Sequence, residues 1–306
     1  MKKILIVLLF LNCNLFAGMP EWRLPPKVVV STFAVNDYSN NEYFRQMLLS
    51  HGRDVHEKDL QAINSKQVFV NSLFASLSRK YPSLYRLHVY DRTDDSAKVA
   101  DYKELLLYRS EFVYFAGHGS QQKIYLYDLP MTVSAGCAGD GCSIYNYGKV
   151  YGEDTRWVIF DACEVLNVNK DGMLDRELNV NTIDYSKVQK LISVFAGVHA
   201  ILGYYSISFD GYDNVYSYFS KYFIEDGYTL WDSFSMANDK VYREKRAVSY
   251  ARGIKPAIAF LRGTDEKGVY HDTSAEFFAL TYNQPIKISG NIEMLIMYKE
   301  YGTPIY

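Results

Sequence analysis

Two residues in this chain are of types that together can break an amide bond. His118 stands in Gly117-His118-Gly119-Ser120 and Cys163 in Asp161-Ala162-Cys163-Glu164, 163 − 118 = 45 positions apart. A thiol attacks a carbonyl carbon as the thiolate, and a neighbouring imidazole can take its proton or stabilise the anion. Each of the two follows closely on an apolar run: Phe112-Val113-Tyr114-Phe115-Ala116 before the histidine, Trp157-Val158-Ile159-Phe160 before the cysteine. Short unbroken apolar runs read as strands buried on both faces. Neighbouring parallel strands would release His118 and Cys163 at one edge. Gly119, with no side chain, lets a substrate carbonyl reach the backbone, and its N–H with that of Cys163 would hold the developing oxyanion. Gly117 permits a sharp exit from the strand. Asp161 points to the cysteine's side of an extended chain, where it either shapes a pocket or simply ends the strand.

The elements that must position these residues alternate along the chain. Strands are expected at 27–35, 84–90, 112–116, 156–160, 199–205 and 256–261, and a hairpin strand at the sheet edge at 123–129. Apolar residues at three- and four-residue spacing predict helices at 41–51, 65–81, 97–108, 185–196, 212–223 and 230–246. Short alternating stretches from 277 onward suggest a small terminal β element within about 268–306. This order predicts an α/β fold, a mostly parallel sheet with helices on both faces. In such sheets sites form beyond the carboxyl ends of the strands, where His118 and Cys163 stand. With 8 Pro and 19 Gly in 306 residues and no Pro- or Gly-rich linker, 18–306 is expected to be one domain.

Residues 1–17 read as a secretory signal peptide. Lys2 and Lys3 precede an apolar run over 4–11, and Phe16-Ala17-Gly18 supplies a cleavage site. Export to the periplasm or the cell exterior is expected. No later run approaches the ~18 apolar residues of a span, so stable membrane insertion is not. Cleavage would leave Cys137, Cys142 and Cys163. The first two bracket a Gly-rich loop and could form a local disulfide in an oxidising compartment. Half of a metal site is the alternative, without a second Cys or His pair nearby. Cys163 is then the odd thiol that asks for an explanation.

The balance of 33 basic and 35 acidic residues, with no basic stripe, argues against a nucleic-acid or anionic-membrane partner. No His-Glu-x-x-His or paired-Cys pattern marks a zinc site. Ser120 lacks the flanking glycines of a nucleophile elbow. Residues 167–178 place Asn167, Asn169, Asp171 and Asp175 at EF-hand ligand positions, with Gly172 at the sixth. Leu178 occupies the twelfth place, where a bidentate carboxylate belongs, so a metal-free turn competes with a Ca²⁺ loop.

The block Phe112 to Ser120 (FVYFAGHGS) and the block Trp157 to Glu164 (WVIFDACE) together resemble the caspase, legumain, gingipain and clostripain cysteine peptidases. Their spacing is close to the roughly 50 residues of caspase-type pairs. The segment from Phe195 to Tyr204 is similar to the stretch after the cysteine in CHAT-type relatives, and the strand–helix order is shared over about 27–262. Asp161-Ala162 precedes the cysteine where caspases carry Gln-Ala, and Glu164 follows it. The resemblance implies His118 as general base, Cys163 as nucleophile and the Gly119 N–H in the oxyanion site. A protein or peptide substrate follows, with no cofactor required; the oligomeric state is left undetermined. The leader peptide suits gingipain-like secreted bacterial members. Glu164, Asp210 and Asp213 lie in segments that shape the first substrate pocket in these families, which would favour Arg or Lys there. A catalytically inactive relative serving as a secreted binding module is the alternative.

Overall fold

The computed structural model describes residues 27–38, 40–50, 61–101, 110–132, 155–170, 182–192, 195, 198–206, 208, 214–245, 254–279, 288–299 and 301. The apolar runs become the middle of one sheet because no face of them is polar. Strands β1 (Lys27–Ala34), β3 (Phe112–Ala116), β7 (Trp157–Asp161) and β8 (Ala200–Tyr204) are buried along almost their whole length. With β2 (Arg86–Thr93), β9 (Pro256–Asp265), β10 (Tyr270–Asp272) and β11 (Ile288–Tyr298) they form an eight-stranded sheet ordered β10-β9-β8-β7-β3-β1-β2, with β11 also paired to β9. Every pair from β2 to β8 is parallel.

Side chains alternate between the faces. Phe112, Tyr114, Trp157 and Ile159 join one core; Val113, Phe115, Val158 and Phe160 join the other. The first core is covered by α2 (Ala62–Lys80), α4 (Asn214–Ser220) and α5 (Leu230–Lys245). The second receives Phe44 and Leu48 of α1 (Glu42–Ser50) and Leu191 of α3 (Tyr185–Ile192). Helices on both faces of a mostly parallel sheet match the expected architecture. Each buried aromatic contributes about 1.5–3 kcal/mol.

Strand β9 runs antiparallel to β8, and the expected terminal β element joins the same sheet, since β10 and β11 both pair with β9. Ten residues of β9 are long enough to serve all three partners. The segment expected as an edge hairpin strand over 123–129 leaves the main sheet altogether. There β4 (Gly119–Ser120), β5 (Lys123–Tyr125) and β6 (Pro130–Thr132) make their own three-stranded sheet. The helix expected over 212–223 changes pitch at Ser220. Lys221–Asp226 form a π-helical turn, stopped by Gly227 in the left-handed conformation (φ +75°). The helix expected at 97–108 lies mostly outside the described residues.

At the amino ends of β3, β7 and β8 a charged group is buried. The Glu276 carboxylate accepts the Trp157 indole N–H at 2.9 Å and meets His199 Nδ1 at 2.6 Å. The Arg156 guanidinium lies 3.9 Å from the same carboxylate and 4.3 Å from the centroid of the Trp157 ring. These side chains are nine-tenths or more enclosed.

Candidate active site

The ladder between β3 and β7 pairs Phe112 with Trp157 and Ala116 with Asp161, an offset of 45 at each step. His118 and Cys163 keep that offset, so each is the second residue beyond the same rung. Adjacent strands run about 4.8 Å apart, and the Gly117 N–H donates to the Asp161 carbonyl at 3.1 Å, holding the chains together past the last rung. Both residues are half-buried at the carboxyl edge, and Cys163 is in no disulfide.

The histidine is held from the β1 side. Its backbone N–H donates to the Tyr38 hydroxyl oxygen at 2.7 Å. Phe44 stacks on the imidazole at 4.5 Å and 26°, and Tyr38 flanks it at 5.1 Å. Ring nitrogen Nε2 is shielded from solvent. Gly117 has φ +156°, and a Cβ there would run into the Tyr38 hydroxyl, so glycine is what lets Tyr38 reach the His118 amide. Tyr38→Phe removes that acceptor. A loss of about 1–3 kcal/mol in urea unfolding is expected, the usual cost of leaving a buried N–H unpaired.

The cysteine is held from the β8 side. Its thiol donates to the Ser208 carbonyl at 3.4 Å and stands 3.6 Å from the Ser208 hydroxyl. Imidazole and sulfur thus lean toward the strands that flank β3 and β7. Behind them Gly119 closes on the cysteine loop: a Cβ there would lie 2.5 Å from the Cys163 carbonyl oxygen and 2.9 Å from Ala162 Cβ. Tyr125 N–H donates to the His118 carbonyl at 3.0 Å. The next pair, Gly119 with Ile124, is therefore a non-hydrogen-bonded rung, and the Gly119 N–H points away from β5.

The turn joining β4 to β5 is built from Gln121 (φ +42°) and Gln122 (φ +66°). Two left-handed residues suit a two-residue hairpin, although Asn and Gly are the usual occupants. Glu164, also left-handed at φ +56°, meets this turn. Its carbonyl accepts the Gln122 N–H at 3.1 Å, and its carboxylate takes the Gln121 N–H. Its own N–H donates to the Ser206 carbonyl at 2.9 Å. Burial pushes the Glu164 carboxyl above its ordinary range, against the pull of the Gln121 N–H and the Lys187 charge.

At the end of β7 the Asp161 carboxylate accepts the Tyr114 hydroxyl at 3.1 Å. Burial first, and the Asp161 charge second, hold the Tyr114 and Tyr216 hydroxyls well above the usual phenol range. Asp210, Asp213, Cys137 and Cys142 lie outside the described residues, as do 171–178 of the calcium-loop candidate. In its described part, Asn167 Oδ1 accepts the Asn169 N–H at 2.9 Å, and Lys187 Nζ donates to the Asn169 carbonyl at 2.7 Å. No group of three or more His, Cys, Asp or Glu side chains among the described residues could hold a metal ion. No helix among them is long and apolar enough to cross a membrane. Sequence reasoning missed Tyr38, Phe44 and Ser208, none of which belongs to a recognisable motif.

A family described as a domain of unknown function (DUF6345) matches residues 94–259, over half of the chain, and both His118 and Cys163 fall within the match. The chain belongs to the DUF6345 family. The span shared with DUF6345 includes β3 to β8 whole and ends inside β9. No curated protein matches the chain. Among solved structures, this DUF6345 chain is similar to the complex of Porphyromonas gingivalis RgpB pro- and mature domains, at 9% identity and a TM-score of 0.39, covering 79% of this chain and 58% of that one. It is also similar to the Arg-specific cysteine proteinase gingipain R (RGPB), at 10% identity and a TM-score of 0.38, covering 88% of this chain and 66% of that one. The chain therefore spans less than two thirds of either structure.

Proposed function

We propose that this chain is exported and that Cys163 and His118 form a thiol–imidazole pair that hydrolyses peptide bonds of a protein or peptide substrate. The observation that carries this reading is their common position, two residues past paired rungs at the carboxyl edge of the sheet. Because the imidazole leans toward β1 and the thiol toward β8, the scissile carbonyl enters between them. The Cys163 thiolate attacks the carbonyl carbon while the Gly119 and Cys163 N–H groups hold the oxyanion. The protonated His118 then gives its proton to the leaving amine, and a thioester remains. Water, deprotonated by His118, attacks the thioester, releasing the carboxylate product and the thiol. Cleavage after Arg or Lys is part of the proposal, resting on Asp210 and Asp213 in the sequence after β8. Fluorogenic peptides varied at that position test it, and equal rates for all residues would remove it.

The test of the pair itself is thiol reactivity. An ordinary thiol with pKa near 8.5 is only a few per cent ionised at pH 7. Iodoacetamide is expected to label Cys163 at least tenfold more slowly in His118→Ala than in the wild type, about the gain of a lowered thiol pKa. An unbiased peptide library should be cut by the wild type and left intact by Cys163→Ala. Slow labelling that ignores His118, with an uncut library, would mean a secreted binding module that retains only the fold.

A further inference from the structure

We propose that Glu164 is a positioning residue, which fastens the tip of the β4–β5 hairpin to the loop carrying Cys163 and so sets where the Gly119 N–H stands relative to the sulfur. The functional consequence rests on the hydrolase reading above; the fastening itself does not.

The hairpin needs an external anchor. It belongs to a three-stranded sheet that has no ladder to the main one among the described residues, and β4 is only two residues long. Its turn puts two glutamines in left-handed backbone conformations, which side chains with a Cβ adopt only when their surroundings hold them there. Glu164 belongs to those surroundings. Glu164 offers its carboxylate to the Gln121 N–H and its carbonyl to the Gln122 N–H, the two successive amides of the turn. A carboxylate accepting a backbone N–H makes a stronger hydrogen bond than a neutral acceptor.

Glu164 is in turn fixed from the other side. Its N–H donates to the Ser206 carbonyl, and the Ser206 hydroxyl accepts the Lys255 N–H at 2.8 Å, linking the exit of β8 to the entry of β9. The Asn167 N–H adds a second hydrogen bond to the Glu164 carbonyl at 3.0 Å. One strained residue directly after the nucleophile thus joins three chain segments at the carboxyl edge. In this proposal the carboxylate turned to the Gln121 amide serves the hairpin in place of the substrate-pocket role expected from the sequence.

Three proteins distinguish these roles: wild type, Glu164→Gln and Glu164→Ala. In Glu164→Ala the amide proton of Gln121 is expected to exchange with solvent about tenfold faster, as for the loss of one charge-assisted hydrogen bond, whereas Gln122 keeps the backbone carbonyl of residue 164 as its acceptor. Amides of β3 and β7 should stay as in the wild type. Glu164→Gln keeps an acceptor oxygen and should restore most of the protection. In peptide hydrolysis, Glu164→Ala is expected to lower kcat about tenfold with KM nearly unchanged, and Glu164→Gln to rescue it. Should Glu164→Ala fail to fold, Glu164→Asp, which draws the carboxylate back by one methylene, takes its place in both measurements. Unchanged exchange at Gln121, or Gln behaving like Ala, would overturn the proposal. A raised KM for Arg or Lys peptides in Glu164→Gln would return the carboxylate to the substrate pocket and overturn it too. If the wild type cuts nothing, the hydrolase reading fails, while amide exchange still decides the fastening.

Discussion

Glu276→Ala is expected to cost about 3–5 kcal/mol of folding stability, the range for removing one partner from a buried ionic group. The carboxylate answers Trp157, His199 and Arg156 at once, inside a shell that excludes water. Arg156 Nε and His199 Nε2 are buried and make no hydrogen bond of their own to the described residues, so the cluster has no reserve acceptor when the carboxylate goes. The ring of Trp157, itself fully buried between Phe112 and Phe223, would keep its packing but lose the partner of its N–H. Glu276→Gln, which keeps an acceptor for the indole, should lose less. Urea unfolding followed by circular dichroism measures both, with Glu293→Ala on the exposed part of β11 as the reference. A midpoint for Glu276→Ala equal to that reference would contradict the cluster's role. Since the cluster sits at the amino ends of the strands, the folded fraction should label at Cys163 at the wild-type rate.

At the opposite edge, Gly119→Ala should leave the fold standing and reduce peptide hydrolysis by about a hundredfold, the effect of a displacement near 1 Å at a reacting centre. The new methyl would meet the Cys163 carbonyl oxygen at 2.5 Å, Ala162 Cβ at 2.9 Å and Val165 Cγ1 at 3.0 Å. The first is backbone and the second has no rotatable bond, so neither can swing aside. The hairpin must move outward, carrying the proposed oxyanion donor with it. Overpacking of this kind costs about 1–3 kcal/mol, which a thermal melt reads independently of turnover. Gly119→Ala with wild-type turnover and an unshifted melt would show that the contact is slack and the donor lies elsewhere.

Much of the frame was legible because β3, β7 and β8 are apolar on both faces, and such runs admit few other readings. The cysteine and histidine were legible as strand-end residues, but that β3 and β7 are immediate neighbours in register is a property of the sheet and not of either segment. The direction of β9 escaped because hydrophobic patterning carries no polarity; Pro256 to Phe260 would read the same in a parallel neighbour of β8. Tyr38 escaped for a different reason. It is one tyrosine of 28, and only the bend at Gly117 brings its hydroxyl to the His118 amide. Glu276 and Arg156 are 276 − 156 = 120 positions apart, and a lone carboxylate in a polar stretch is normally solvated. The Gln121-Gln122 turn hid because it carries neither the glycine nor the asparagine that ordinarily announces a hairpin.

The constant offset between β3 and β7 has a consequence for how such a chain can change. Rungs are counted from the strands themselves, so which residues meet at the edge is set by the phase of β3 and β7. Losing one residue inside β7 shifts that phase: a single slip turns every side chain over and sends the sulfur to the far face.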